Sequence, residues 1–252
     1  MIRAVWEYPE RCIGRQVIVY SQTDSTNNRA LAHAGQPGLA FLADEQTAGR
    51  GTQGRRWNAQ PGASVLLSVL LHPPQAWRRP VILTAWAAVS VQDTLASWGL
   101  SSQIKWPNDV QLAGRKIAGI LTEIHGKAVV VGIGLNVRQT AQDWQQAGLT
   151  EATSLKMAGV DQATERVAHQ LLECLETRYR VLVTQGQDAL ESSWQTGLGL
   201  IGQSVQVQHP GGTTLGRISQ LSFERVGLED GRVWRPEEVR LSRIESPGRV
   251  AS

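Results

Sequence analysis

Gly49-Arg50-Gly51-Thr52-Gln53-Gly54-Arg55-Arg56-Trp57 is the stretch whose reading decides the fold. Its glycines at 49, 51 and 54 match G-x-G-x-x-G, the fingerprint of a dinucleotide-binding Rossmann unit. That fingerprint has to leave a hydrophobic strand and open a helix. Here the polar Asp44-Glu45-Gln46-Thr47 precedes it, and Arg55-Arg56-Trp57-Asn58-Ala59-Gln60-Pro61-Gly62 follows, which is loop sequence. The doubly wound reading fails on that context. What remains is a glycine-rich cationic loop, whose backbone N–H groups can approach a ligand closely. Its arginines carry planar charged donors suited to phosphate or carboxylate. A solvated arginine/glycine surface loop is the plain alternative, and the company the stretch keeps decides between them.

Working outward, Leu39 to Ala43 is a buried strand that delivers Gln46 into the loop, and Val17 to Tyr20 is another strand before it. Between them, Asp24-Ser25-Thr26-Asn27 precedes an alanine/leucine run, which predicts a helix start capped by Ser25 or Thr26. Downstream, Ser64 to Leu71 is of strand length, and Pro80 to Trp98 has helical spacing with Gly99 as its stop. Ile104-Lys105-Trp106-Pro107-Asn108-Asp109 reads as a strand running into a turn, where Asn108 and Asp109 are ordinary turn residues. Lys116 to Ile124 and Ala128 to Val137 form a hairpin about His125-Gly126-Lys127. Gly119, Gly132 and Gly134 weaken those strands, a cost that makes sense if something packs closely on them. Residues 163–194 are predicted helical with a break near Gln185-Gly186. After Gly199 come short alternating pieces and an Asp230-Gly231 hairpin turn, which predict a small all-β module.

Composition sets the class. With 252 residues, 41% hydrophobic and 19% charged, the chain reads as an ordinary globular protein with one large core and room for a small appended domain. A net charge of +3 is too small to require a nucleic acid. No apolar run reaches the roughly 18 residues needed to span a bilayer, and Met1 to Glu7 has no signal-peptide core. Cys12 and Cys174 make neither a disulfide framework nor a metal site, so a cytoplasmic protein with reduced thiols is expected. The five histidines lie in unrelated surroundings, and no nucleophile–histidine pairing is apparent.

Five segments together resemble the bacterial biotin–protein ligases: Asp24-Ser25-Thr26-Asn27, Gln46-Thr47-Ala48-Gly49-Arg50-Gly51, Lys105-Trp106-Pro107-Asn108-Asp109, Arg115 to Leu121, and Gly132 to Val137. The resemblance implies an α+β fold of the class II aminoacyl-tRNA synthetase type, a mixed sheet flanked by helices over residues 1–198. A C-terminal SH3-like barrel over 199–252 is implied with it. It implies attack of the biotin carboxylate on MgATP to give biotinyl-5′-AMP, then transfer to a lysine of a biotin carboxyl carrier protein, the accepting domain of acetyl-CoA carboxylase or a related carboxylase. Carried over, Lys116, Arg50 and Asp109 are the catalytic set. Ser25, Thr26, Asn27, Gln46, Gly49, Arg50, Gly51, Lys116, Gly119, Gly132 and Gly134 would hold biotin, with hydrogen bonds to its ureido head from Ser25, Thr26 and Gln46. Arg50, Thr52, Arg55, Arg56, Trp57, Asn108, Lys116 and Asn136 would hold the adenylate. No protein metal site is implied, the Mg2+ arriving with ATP.

Two departures stand out. Thr52 replaces an arginine often found in the family, which removes one phosphate contact unless Arg56 supplies it. Few residues precede Ser25, which implies a ligase without an operator-binding domain. A lipoate–protein ligase is the nearest enzymatic alternative, and an arginine-based nucleic-acid binder the alternative of another class. An intact but inactive fold is a third, and both a monomer and a homodimer are open.

Overall fold

The computed structural model describes residues 1–244. Strands β1 (Ile2–Glu7) and β2 (Gln16–Thr23) pair antiparallel, and helix α1 (Thr26–Ala32) then crosses to β3 (Leu39–Gln46), which runs parallel to β2. β4 (Ser64–Leu71) continues the sheet, and helix α2 (Pro80–Ala96) follows with Pro80 in its first turn. Then come β5 (Gln103–Lys105), β6 (Asp109–Leu112) and the long hairpin β7 (Arg115–His125) and β8 (Ala128–Asn136). Together they form one eight-stranded sheet in the order β1-β2-β3-β4-β8-β7-β6-β5. Helices α3 (Ala141–Ala147), α4 (Thr164–Gln185) and α5 (Asp188–Leu198) complete this part.

Strand alternation divides the sheet's residues between two faces. Val65, Leu67, Val69 and Leu71 of β4, with Val129, Val131, Ile133 and Leu135 of β8, join the large core shared with α2, α4 and α5. The alternate positions face α1. There Phe41, Leu70 and Val130 make a small second cluster. The rest of that face is lined by Ser64, Leu66 and Ser68 of β4 and Gly132, Gly134 and Asn136 of β8. A sheet that carries serines and glycines on half of one face cannot be filled there by its own side chains.

The C-terminal module is a five-stranded antiparallel sheet, β12-β11-β10-β9-β13, built from β9 (Ser204–His209), β10 (Gly212–Leu221), β11 (Val226–Leu228), β12 (Val233–Trp234) and β13 (Arg240–Arg243). Asp230-Gly231 does form the β11–β12 turn, with Gly231 at φ +90°. The expected barrel is corrected to an open sheet: β12 and β13 are its edges and do not pair with each other among the described residues. The end of the expected domain, 245–252, lies outside them. Phe223 packs on Trp194, Trp106 donates its indole N–H to Val239 O at 3.1 Å, and Arg79 pairs with Glu237 at 3.0 Å and with Glu224. Residues of both parts therefore share one hydrophobic core.

Sequence reasoning missed four elements, β1, β6, α3 and β13; Asp109, expected in a turn, instead opens β6. β1 has a mixed, half-exposed pattern typical of an edge. α3 carries a Thr140–Asp143 capping box that could have been found from the sequence.

Candidate active site

A cleft opens on the α1 face, over the glycine positions of β7 and β8. Lining it are Ser25, Thr26, Asn27, Gln46, Arg50, Gly51, Thr52, Arg55, Arg56, Trp57, Asn108, Asp109, Lys116, Gly119, Gly132 and Gly134. Segments far apart in the chain thus meet in one place. Leu66, Leu67, Ile120, Leu121 and Ile133 also line it and were not singled out from the sequence. They are apolar residues inside strands, indistinguishable there from core.

The uncharged end is built by the start of α1. Ser25 occupies the N-cap position with extended backbone, but its side chain makes no cap bond, which corrects the expected capping role. Instead Gln46, at the end of β3, accepts the Thr26 backbone N–H through Oε1 at 2.7 Å and lies 3.0 Å from the Thr26 hydroxyl. The parallel pairing of β2 with β3, which aligns Thr23 with Gln46, is what brings these residues together.

The charged end is the glycine/arginine loop. Gly51 N–H donates to Arg55 O at 2.7 Å and Trp57 N–H to Gly49 O at 3.0 Å, so the loop is a closed hairpin-like turn. Gln53 takes φ +61° at its tip, an uncommon backbone for a residue with a Cβ. Arg50 donates to Glu123 and to Asn28, while Arg55 and Arg56 are exposed.

Lys116 stands between the two ends. In a regular strand residues 116 and 119 would face opposite sides. The register shift opposite Val110/Gln111 makes Ile117 an extra residue, which turns Ile117 and Ala118 into the core and returns Lys116 to the face of Gly119. Its Nζ lies 2.6 Å from Asp109 Oδ1 and 5.6 Å from the Trp57 ring centre. The Lys116 backbone is tied on both sides, its N–H donating to Glu151 O and its carbonyl accepting from Thr153 N–H, each at 2.8 Å. That 151–153 support left no mark in the sequence. Asn108 anchors the turn before Asp109, its Nδ2 donating to Ile120 O at 2.8 Å while Ile120 N–H donates to Asn108 O at 2.9 Å.

Three expectations change. Gly119 and Gly134 are covered by the indole of Trp57, which a Cβ on either would strike, and Gly132 is covered by the Asn27 amide in the same way. The close approach expected of a ligand is made here by the protein's own side chains. The Trp57 Nε1 is buried with no partner among the described residues. Gly49 and Asn136 do not line the cleft. A Cβ on Gly49 would collide with Trp57 O, so its absence is needed to close the loop. Asn136 is buried and donates to Thr153 O at 3.0 Å, which holds the strand end instead.

Asp24, beside the cleft, has its carboxyl held down to about 2, chiefly by the Asn28 side-chain hydrogen bond, with further help from Ser25 N–H, Thr23 and Arg29. Among the described residues no group of three or more His, Cys, Asp or Glu could hold a metal, and no helix is long and apolar enough to cross a membrane.

Comparison with known proteins finds relatives of one family. Residues 16–139 match the Biotin/lipoate A/B protein ligase family. The bifunctional ligase/repressor BirA of Bacillus subtilis is 35% identical over 228 residues, covering 86% of this chain and 70% of its own. The biotin–[acetyl-CoA-carboxylase] ligase of Mycobacterium tuberculosis is 37% identical over 211 residues, covering 79% and 76%. The biotin protein ligase of Aquifex aeolicus, solved in complex with biotin and ATP, superposes with a TM-score of 0.77 at 26% identity, covering 90% of this chain and 99% of that one. A sheet, a cleft and a relatedness that coincide in this way place the chain in the biotin protein ligase family.

Proposed function

We propose that the cleft activates biotin with ATP and passes it to a lysine of a carboxylase's biotin carrier domain. The observation that carries this reading is Lys116, set between a neutral hydrogen-bonding end and a cationic loop, with Asp109 at 2.6 Å. Biotin has the matching order: a polar ureido head, an apolar body and a carboxylate. In this reading Ser25, Thr26 and Gln46 take the head, and the carboxylate lies at Lys116. MgATP enters as the second substrate, its Mg2+ delivered with the nucleotide, and Arg50, Arg55 and Arg56 face its phosphates.

The carboxylate oxygen attacks the α-phosphorus, forming biotinyl-5′-AMP as pyrophosphate leaves. Negative charge builds on the phosphoryl oxygens, where a preplaced ammonium contributes most. The acceptor lysine then attacks the anhydride carbonyl and AMP departs. In this reading Asp109 takes the proton from that amine once Lys116 has turned to the phosphate. The same cation serves both steps. Residues 1–198 are taken as the catalytic part and 199–252 as the appended module, the change from α+β to all-β lying at Gly199. The two unpaired cysteines suit a reducing cytoplasm.

The test is mass spectrometry of the products formed from biotin and MgATP, with lipoate in a parallel reaction. Biotinyl-5′-AMP and no lipoyl-AMP is expected. Lipoyl-AMP alone, or no adenylate, would overturn the proposal.

A further inference from the structure

Glu123 lies on β7 just beyond the motif that contains Lys116. It does not line the cleft, yet it grips two residues that do. We propose that Glu123 is a positioning residue for the ligase reaction. Its carboxylate fixes the direction of the Asn27 amide and so the donor and acceptor pattern of the neutral end, while it holds Arg50 at the charged end. The inference rests on the reading of the cleft as the biotin-activating site.

The direction follows from proton counting. Asn27 Nδ2 donates to Glu123 Oε2 at 2.7 Å. A carboxylate only accepts, so the amide N–H2 must face Glu123 and Oδ1 must face away from it. Asn27 Oδ1 then takes the Ser68 hydroxyl proton at 2.5 Å. With that proton used, the 2.7 Å contact between Ser68 Oγ and Thr26 Oγ1 has to take its proton from Thr26, which leaves the Thr26 hydroxyl none for Gln46 Oε1, 3.0 Å away. Gln46 Oε1 is already held by the Thr26 backbone N–H, so Gln46 Nε2 is the group left to donate. The neutral end therefore offers the Thr26 hydroxyl as an acceptor and the Gln46 amide as a donor. That pattern complements a ureido group, which has two N–H donors and one carbonyl. If the Asn27 amide were reversed, its carbonyl would meet the carboxylate and the Ser68–Asn27 and Ser68–Thr26 bonds would invert. Thr26 Oγ1 would turn from an acceptor toward the cleft into a donor, while the Thr26 backbone N–H would still hold Gln46.

Asn27 has little other freedom. It is 5% exposed and packs over Gly132, where even a methyl group would strike its amide. It can flip, but it cannot move aside. Arg50 completes the arrangement, its Nη2 donating to both Glu123 oxygens at 3.1 and 2.9 Å and its Nη1 to Asn28 Oδ1 at 2.6 Å. As a bare ion pair this contact is too exposed to matter much for stability, at 41% and 27% of the two side chains. Its consequence is orientation.

Calorimetric biotin titrations of the full chain, its variants and their melting curves test the idea. Glu123→Gln replaces one acceptor oxygen with a donor and lets Asn27 flip. Asn27→Asp sets two carboxylates against each other. Each is expected to weaken biotin binding about tenfold or more, the scale of a charge-assisted hydrogen bond. The double change Asn27→Asp with Glu123→Gln restores a donor–acceptor pair and leaves an acceptor oxygen for Ser68. It is expected to recover affinity to within about threefold of wild type, a rescue that a purely structural role would not give. Wild-type affinity in Glu123→Gln, or a double variant as weak as the weaker single, overturns the role of Glu123. A wild-type chain that binds no biotin overturns the reading of the cleft, and this inference with it.

Discussion

At the scale of single residues, charge placement makes the sharpest predictions. The Asp24 carboxyl is depressed from 3.8 to about 2, first by the Asn28 hydrogen bond. A group with a lowered folded-state pKa stabilises the fold above its unfolded value and loses that contribution as it is protonated. Asp24 should therefore stabilise the fold fully above about pH 4 and progressively less toward pH 2. Denaturant midpoints of wild type and Asp24→Asn should converge across that window, and a constant difference would contradict the assignment. Thr52 lines the cleft within the cationic loop, where Arg50, Arg55 and Arg56 supply the charge. Thr52→Arg is expected to slow the escape of biotinyl-5′-AMP several-fold, because an added guanidinium can pair with its phosphate. Trapping of released adenylate measures this directly, and equal release rates would show that Arg56 already does that work.

At the scale of elements, the glycines of β7 and β8 connect the fold to the cleft. A methyl group on Gly134 would collide with the Trp57 indole. Gly134→Ala should displace that ring and cost about 1–3 kcal/mol, the usual range for overpacking. A denaturation midpoint matching wild type would mean that Trp57 has an equally good second position. Much of this level was legible in the sequence. Strand interruption at Gly119, Gly132 and Gly134 pointed to close approach, and the failed Rossmann context of Gly49 to Trp57 pointed to a loop. The occupant of those gaps was not legible, because Trp57 reaches β7 and β8 only through the loop's closure. The Ile117 bulge was hidden as well, since register depends on the partner strand. Glu123 left a fainter signal, a carboxylate on the same strand face as Gly119 and Leu121. Ser64 and Ser68, four residues apart in an apolar strand, were a similar sign of a polar face.

At the scale of the molecule, the C-terminal sheet is part of the same core as the catalytic part. The Trp194–Phe223 contact, the Trp106 bond to Val239 and the Arg79 pairs with Glu224 and Glu237 cross the 198/199 boundary. Its strands were legible from alternation and the Asp230-Gly231 turn, but these long-range contacts were not. Residues 1–198 alone should expose Trp106 and Trp194, melt well below the full chain and bind an apolar dye. A fragment with the full chain's melting temperature would show instead that the module is independent. The whole assembly serves one arrangement, a lysine held between a neutral pocket and a cationic loop.

Biotin-dependent exchange of labelled pyrophosphate into ATP, in wild type and Lys116→Ala, tests that arrangement most directly. Exchange should require biotin in the wild type and fall by about 100-fold or more in the variant, the scale of losing one preplaced charge at the transition state. Exchange without biotin, or an undiminished rate in Lys116→Ala, would contradict it.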